Sequence, residues 1–362
     1  VTPTTPPPAQ QTFPSRPGAR PAVELRSDNA APVAPQILAA VSAANTGTAL
    51  AYGADPVTAQ LQERVREVFE HPTARVFPVT SGTAANALAL SAMCPPWGAV
   101  LCHDSAHILT SECGATSGLS AGAVLRGVAG DEFKVSPVAL GTVLDGVWWG
   151  DPHHSQPCVL SLTQPTDRGT LYTVEELRAL SALASRHRLT VHLDGARFAN
   201  ALAALNVSPA DGSWRAGVAA LSLGATKNGA LSAEAIVVFD EAVADELVYR
   251  TKRTGHVTSK MRFQSAQLLG YLADDLWLRM AADANAAMAR LAAGIDELGL
   301  RLIARPAVNI AFVEVDDDLA DRLAEQVLFY RMGAGVIRFV TNWQTSEDDV
   351  DRTLQALADA LR

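Results

Sequence analysis

Six apolar runs of five to eight residues punctuate the chain between residues 75 and 240: "RVFPVT", "AVLCHD", "PCVLSLTQ", "LTVHLDG", "AALSL" and "EAIVVFD". Each is too short for a buried helix and too continuously apolar for a strand with one wet face, so each reads as a strand covered on both sides. Helical patterns separate several of them. "SGTAANALALSAM" follows the first run directly, and in "TVEELRALSALASRHR" Thr173 and Glu176 have capping-box spacing. Upstream, "DPVTAQLQERVREVF" offers Asp55 as N-cap, Pro56 at the first helical position, and Val57, Leu61, Val65 and Val68 on one face. Strands alternating with helices predict an α/β fold with a mostly parallel sheet and helices on both faces.

The texture changes near residue 265, where a long Ala- and Leu-rich helical region begins, followed by "RLIARPAVNIAFVEV", "GVIRFVTNW" and a last helix through Leu361. The expected organisation is a large domain over 23–265 and a small α+β domain over 266–362. Residues 1–22 are rich in Pro and Thr, lack the apolar segment of a signal peptide, and read as a flexible leader. An apolar fraction of 48% beside 19% charged residues suits a compact enzyme. A formal charge of −9 leaves no basic stripe for nucleic acid, and no apolar run approaches bilayer-spanning length. Cys94, Cys102, Cys113 and Cys158 follow no metal-site or disulfide spacing, so a reduced cytoplasmic setting is expected.

Four features stand at the ends of the predicted strands, where open α/β sheets bind ligands. Ser81, Gly82 and Thr83 lie where a strand gives way to a helix, a place whose free amides suit a phosphate, although an ordinary N-cap explains the same residues. Asp194 ends an apolar strand, where a carboxylate is costly unless paired, with Arg197 as the bland partner and a protonated ring nitrogen as the functional one. Lys227 sits in "LSLGATKNGA" among residues too small to cover it. His107, in "DSAHILTSECGA", follows another strand. A phosphate cradle, a buried acid, an accessible lysine and a ring-stacking imidazole are together what pyridoxal 5′-phosphate requires, which makes Lys227 the expected Schiff-base lysine.

In this order "LRSDNAA", "AYGADP", "SGTAAN", "DSAHILTSECGA", "HLDGARFANA", "SKMRF" and "VIRFVTNWQTSEDDVD" resemble the threonine aldolase branch of the β-eliminating lyase family, among the fold type I pyridoxal-phosphate enzymes. The resemblance spans nearly the whole chain after the leader. It implies that Lys227 holds the cofactor, Asp194 pairs with its ring nitrogen and His107 stacks on its face. It implies Gly82 and Thr83 on the phosphate, with Arg262 reaching a phosphate from a neighbouring subunit. Ser27, Arg197 and Arg338 resemble the residues that hold the substrate carboxylate, and Tyr52 lines the site from the partner subunit. Either His153 or His154 of "DPHHSQP" is expected near the substrate hydroxyl. The chain departs from better-known members in "NGALSAE" after the lysine, in "VTS" and Lys260 before the Met-Arg pair, and in "TQPTDRG".

The implied reaction is cleavage of an L-β-hydroxy-α-amino acid, such as L-threonine or L-allo-threonine, to glycine and an aldehyde, or its reverse. His153, acting through water, is the expected base. β-Elimination, transamination or glycine transfer to another aldehyde would use the same cofactor. A metal site on His103 and His107 of "HDSAH" and a non-catalytic paralogue are the readings from other classes. Shared sites imply a homo-oligomer, dimer or tetramer.

Overall fold

The structure, a computed structural model, describes residues 21–362. The expected leader therefore lies, through residue 20, outside the described residues. All six predicted runs form strands, and a seventh joins them: β1 (Arg75–Val79), β2 (Gly98–His103), β3 (Val124–Val128), β4 (Gln156–Thr163), β5 (Thr190–Gly195), β6 (Ala220–Leu223) and β7 (Glu234–Val238). They build one sheet in the order β1-β7-β6-β5-β4-β2-β3. Only β7 runs against its neighbours; the other strands share one direction. β3 escapes a sequence reading because it is the edge strand, mostly exposed and interrupted by Arg126 and Gly127, so no apolar pattern marks it.

The predicted helices form with the predicted caps. In α1 (Pro56–Val68) the Asp55 carboxylate accepts from the Thr58 amide, and Leu61 and Val65 are buried. α2 (Gly82–Met93) starts on Ser81, and α3 (Val174–Arg186) closes the Thr173–Glu176 capping box. The long helical region after 262 is two helices, α4 (Arg262–Leu272) and α5 (Leu276–Glu297). They are parted at Asp274 and Asp275, whose φ values of 48° and 54° cannot continue a right-handed helix.

A second sheet of β8 (Arg301–Leu302), β9 (Ile310–Glu314), β10 (Tyr330–Arg331) and β11 (Val336–Val340), antiparallel in the order β10-β11-β9-β8, packs with the end of α5. The cores do not divide at residue 265, which lies inside α4. Leu268, Tyr271, Trp277 and Ala281 belong to the large core, whereas Met288 and Leu291, further along α5, belong to the small one. Val23 and Leu25 also join the small core, because Val23–Glu24 pairs in parallel with Val327–Leu328. We propose that the domain division runs through α5.

Beneath the site, His192 of β5 staples three strands. Its Nδ1 meets Ser161 Oγ at 2.9 Å and its Nε2 meets Ser222 Oγ at 3.0 Å. Complete burial pushes the imidazole from the ordinary 6.5 down to about 4. The unfolded chain therefore takes up this proton first as pH falls. The stability at stake is present above pH 6.5 and is lost toward pH 4, on the order of 3 kcal/mol. Urea unfolding at about pH 7 and pH 4.5 should show the wild type losing more stability than His192→Gln, which removes the titration. An equal loss in both proteins would refute this.

Candidate active site

β6 ends at Leu223, and the chain turns through Gly224 and Ala225 into the single helical turn Thr226–Asn228 that carries Lys227. Gly224 is required here: a Cβ at this position would stand 2.1 Å from the Ala196 carbonyl oxygen. The turn is braced from behind. The Tyr271 hydroxyl donates to the Gly224 carbonyl (3.0 Å), while the Asn228 amide donates to Tyr271 Oη (3.1 Å) and the Trp277 carbonyl (2.8 Å). The backbone is thus fixed while the Lys227 side chain is only half-buried.

Asp194 stands at the end of the adjacent strand β5, 3% exposed. Its Oδ2 accepts from Asn86 Nδ2 (3.0 Å) and its Oδ1 from the Ala196 amide (3.1 Å). Arg197, the bland partner, is not hydrogen-bonded to it. Both donors to this buried carboxylate are neutral amides, so it is suited to a cationic N–H supplied from outside the chain.

Asn86, one turn into α2, also donates to Glu112 Oε1 (2.9 Å), which in turn meets His107 Nδ1 at 2.9 Å. His107, Glu112, Asn86 and Asp194 thus form one hydrogen-bonded chain. The hydrogen bond to Glu112 raises the His107 pKa; burial opposes this, and Asp167 and Asp194 add to it. The imidazole is pinned at one nitrogen yet 42% exposed, leaving a face available to a ligand. At the start of α2 the first-turn amides of Gly82 and Thr83 point outward, as at any helix start, and no atom lies within 4 Å of where a Cβ on Gly82 would be.

Arg197 forks onto Asp28, Nε to Oδ2 at 2.6 Å and Nη2 to Oδ1 at 3.0 Å. Asn309 adds a third donor to Asp28 (3.1 Å). Burial works against the Asp28 carboxylate, but Arg197, Lys227 and Asn309 hold its pKa below the usual range. Arg338, on β11, lies near Arg197. Burial first, and the Arg197 charge second, push its pKa down. Its Nη2 donates to the Arg26 carbonyl (3.1 Å), while its buried Nε has no partner. Two guanidiniums together, one with a buried unsatisfied donor, form a seat for an anion. Ser27 caps the neighbouring turn, accepting from the Asn29 amide at 3.2 Å.

Several members of this cluster were not singled out from sequence. Asp167, in the loop after β4, accepts the His107 amide at 3.0 Å. Burial and then the Asp194 charge raise its pKa, against the pull of His107, Arg197 and Lys227. Glu234, at the start of β7, accepts the Ala225 amide at 2.5 Å, and burial raises its pKa despite Lys227 nearby. An acid opening a buried apolar strand was the available signal for Glu234, and an amide inside "ANALAL" for Asn86. Asp28, Glu112 and Asp167 sit in polar loop sequence, where one more acid carries no signal.

Other expected residues do not join the cluster. His153 and His154 precede β4, at the end of the sheet opposite Asp194; the His153 amide and the His154 ring meet Asp151, and the His154 carbonyl accepts from Gln156 Nε2 at 3.0 Å. Within this chain neither lies beside Asp194, because the cluster is built from loops that follow the parallel strands and "DPHHSQP" enters one. Tyr52 and Arg262 lie together elsewhere: the Tyr52 amide donates to the Ser259 carbonyl (3.3 Å), and Arg262 reaches the Gly47 carbonyl (3.5 Å). The metal reading of "HDSAH" also lapses. His103 ends a strand and His107 opens a four-residue helix, so the two are not on one helical face. Among the described residues no group of three His, Cys, Asp or Glu side chains is placed to hold a metal ion.

Comparison with known proteins agrees with this geometry. The family model described as β-eliminating lyase matches residues 24–318. The chain is 39% identical to the low specificity L-threonine aldolase of Pseudomonas aeruginosa, over 93% of this chain and 96% of that protein. It is 37% identical to the enzyme of the same name from a Pseudomonas species, over 90% and 94%. The solved structure of Leishmania major threonine aldolase superposes with a TM-score of 0.87 at 26% identity, covering 94% of this chain and 99% of that one. Aspartate aminotransferase from Thermus thermophilus shares the fold, with a TM-score of 0.66 at 18% identity over 94% and 92% of the two chains. With its sheet, its strand-end acid and its turn-borne lysine in these places, the chain belongs to the β-eliminating lyase family.

Proposed function

We propose that this protein is a pyridoxal-phosphate-dependent aldolase that cleaves L-threonine, L-allo-threonine and related β-hydroxy-α-amino acids to glycine and an aldehyde. The observation that carries the reading is the buried Asp194 carboxylate, satisfied only by amides and hydrogen-bonded through Asn86 and Glu112 to His107. This donor set fits the cofactor. Lys227 offers the amine for its aldehyde, Asp194 the partner for its ring nitrogen, His107 a face for its ring, and Gly82 and Thr83 the cradle for its phosphate. When bound, the cofactor would supply an electron sink for cleavage of the Cα–Cβ bond.

The chain's own residues do the rest. Arg338 and Arg197 hold the substrate carboxylate, Arg197 being kept in place by Asp28. That anchor would fix the orientation of the substrate's Cα. Asp167, rather than His153, is the group we assign to the β-hydroxyl. Its carboxyl is raised by burial and by Asp194, and so takes a proton more readily than an ordinary aspartate. Its Oδ2 is engaged by the His107 amide, which leaves Oδ1 for that proton.

The test is product analysis with purified protein, added pyridoxal phosphate and each threonine diastereomer. Glycine and acetaldehyde in equal amounts are expected; ammonia and a keto acid would replace this reading with β-elimination. In the same assay Asp167→Asn should lower kcat by about 10²-fold and flatten the acidic limb of the pH profile. An unchanged profile removes Asp167 from the role. Arg338→Met should raise KM for L-threonine by about 10- to 100-fold with kcat nearly unchanged, because the lost contact is a charge-assisted bond to an unreacting carboxylate. A fall in kcat at constant KM would contradict that.

We also infer a homo-oligomer, dimer or tetramer, in a reduced cytoplasmic setting. Support comes from the exposed Leu38, Leu50 and Tyr52, an apolar series that a second copy would cover, and from Arg262 lying with Tyr52 rather than with Lys227. Among the described residues no helix is long and apolar enough to cross a membrane. Light scattering that finds a fully active monomer would overturn the oligomer.

A further inference from the structure

Cys94 and Cys158 are 64 positions apart in sequence but share one small space at the sheet end remote from Lys227. Cys94 caps the C-terminus of α2, and Cys158 lies near the start of β4. Two features of the backbone bring their sulfurs together. The β2–β4 ladder shifts register here, pairing Ala99 with Pro157 and Val100 with Val159, so Cys158 is the extra residue of a bulge and its side chain is re-aimed. Opposite it stands Gly98. A Cβ built there would lie 2.6 Å from Cys94 Sγ and 3.0 Å from Cys158 Sγ, so the two sulfurs occupy the room that a side chain at 98 would take.

We propose that Cys94 and Cys158 are a dithiol site that closes reversibly to a disulfide when the protein meets a low-molecular-weight disulfide.

The two thiols are unequal, as the chemistry requires. The Cys94 thiol donates to the Cys158 sulfur, and the Ala99 amide adds a second donor; together they bring the Cys158 thiol down to about 7 against the opposing effect of burial. As a thiol, Cys158 donates to the Gln156 carbonyl at 3.2 Å. Cys94, fully buried, keeps its proton because its hydrogen bond to Cys158 holds it, with burial adding to the effect. Cys158 is partly exposed and is therefore the attacking sulfur. Its thiolate displaces one thiolate from the small disulfide and leaves a mixed disulfide on Cys158. That removes the negative charge that held the Cys94 proton. Cys94 then loses its proton and attacks the Cys158 sulfur, expelling the second small thiolate. In sum the two protein thiols give up two protons and two electrons, one S–S bond forms, and the small disulfide is reduced to two thiols. The other cysteines serve as internal controls: burial pushes Cys102 up to about 12, and Cys113 is exposed but unpaired. The bond would tie the end of α2, the helix that starts at Gly82 and Thr83, to the strand that leads to Asp167.

The experiment uses the holoenzyme at neutral pH, treated with oxidised glutathione, alkylated and mapped by mass spectrometry. The expected result is a Cys94–Cys158 cross-link, two hydrogens lighter and reversed by dithiothreitol, with a formation rate that rises as pH passes through about 7. The cross-linked protein should melt about 3 to 6 °C higher than the reduced one, since the link constrains the unfolded chain. Gly98→Ala should slow cross-linking about 10-fold or more with both thiols still present, because the new methyl stands against both sulfurs. A stable glutathione adduct on Cys158 beside a freely alkylated Cys94, or oxidation confined to Cys113, would overturn the proposal. The mapping is done on the wild-type protein, so no variant need fold for either result to appear.

Discussion

Lys227→Ala is expected to lose threonine cleavage by about 10⁴-fold and, with it, the visible absorbance that pyridoxal phosphate gives when joined to a lysine. Lys227 puts an amine on the turn after β6, and its backbone is held by the Tyr271 and Asn228 hydrogen bonds rather than by its own side chain. Because the Lys227 charge also favours the buried Asp28, Asp167 and Glu234 carboxylates, its loss should lower the melting temperature only moderately, by about 1–2 kcal/mol of stability. A variant that keeps both absorbance and activity would displace Lys227 from its role. A variant that melts much lower would mean that the lysine is structural.

Asp194→Asn should separate the cofactor's binding from its chemistry. The substitution keeps the shape of the side chain but removes the charge that favours a protonated ring nitrogen, so kcat should fall by roughly 10²- to 10³-fold while Lys227 still captures the cofactor. A second consequence follows from the donors around it. Asn86 Nδ2 and the Ala196 amide both point at Asp194 oxygens, and an Asn side chain has only one oxygen to offer them. One N–H then faces another, or turns away unpaired, at a cost of about 1–3 kcal/mol. The variant should therefore melt below the wild type as well as turn over slowly. Excess pyridoxal phosphate should restore the absorbance but not kcat; full recovery of kcat would mean that Asp194 only helps binding.

Both predictions rest on residues that were visible in sequence, for a common reason. Lys227 and Asp194 violate their surroundings: a cation among Gly, Ala and Thr, and a carboxylate closing an apolar strand. Groups that hold the site through ordinary polar neighbourhoods leave no such trace. Glu112 and Asp167 lie in loops, and their roles appear only when β2 and β4 set those loops side by side on His107. His153 shows the opposite case, lying at the sheet end away from Asp194. Histidine chemistry made it attractive, but whether a loop enters or leaves a parallel strand decides which end of the sheet it occupies, and local composition carries nothing of that direction. The change in composition near 265 marks where helices begin, whereas the two clusters of buried apolar residues part further along, within α5.

By itself the sequence determined the strands buried on both faces, the helix caps, the α/β class and the two charged residues out of place, Lys227 and Asp194. Each of these is a local matter of apolar period, cap spacing or a charge out of place. Only the tertiary structure decided that Asn86 and Glu112 join His107 to Asp194, that Asp28 braces the Arg197 guanidinium, and that Arg338 keeps an unpaired donor beside it. These are meetings of residues from distant parts of the chain. Such contacts are set by strand order and by how far each loop reaches, and no short stretch of sequence contains either.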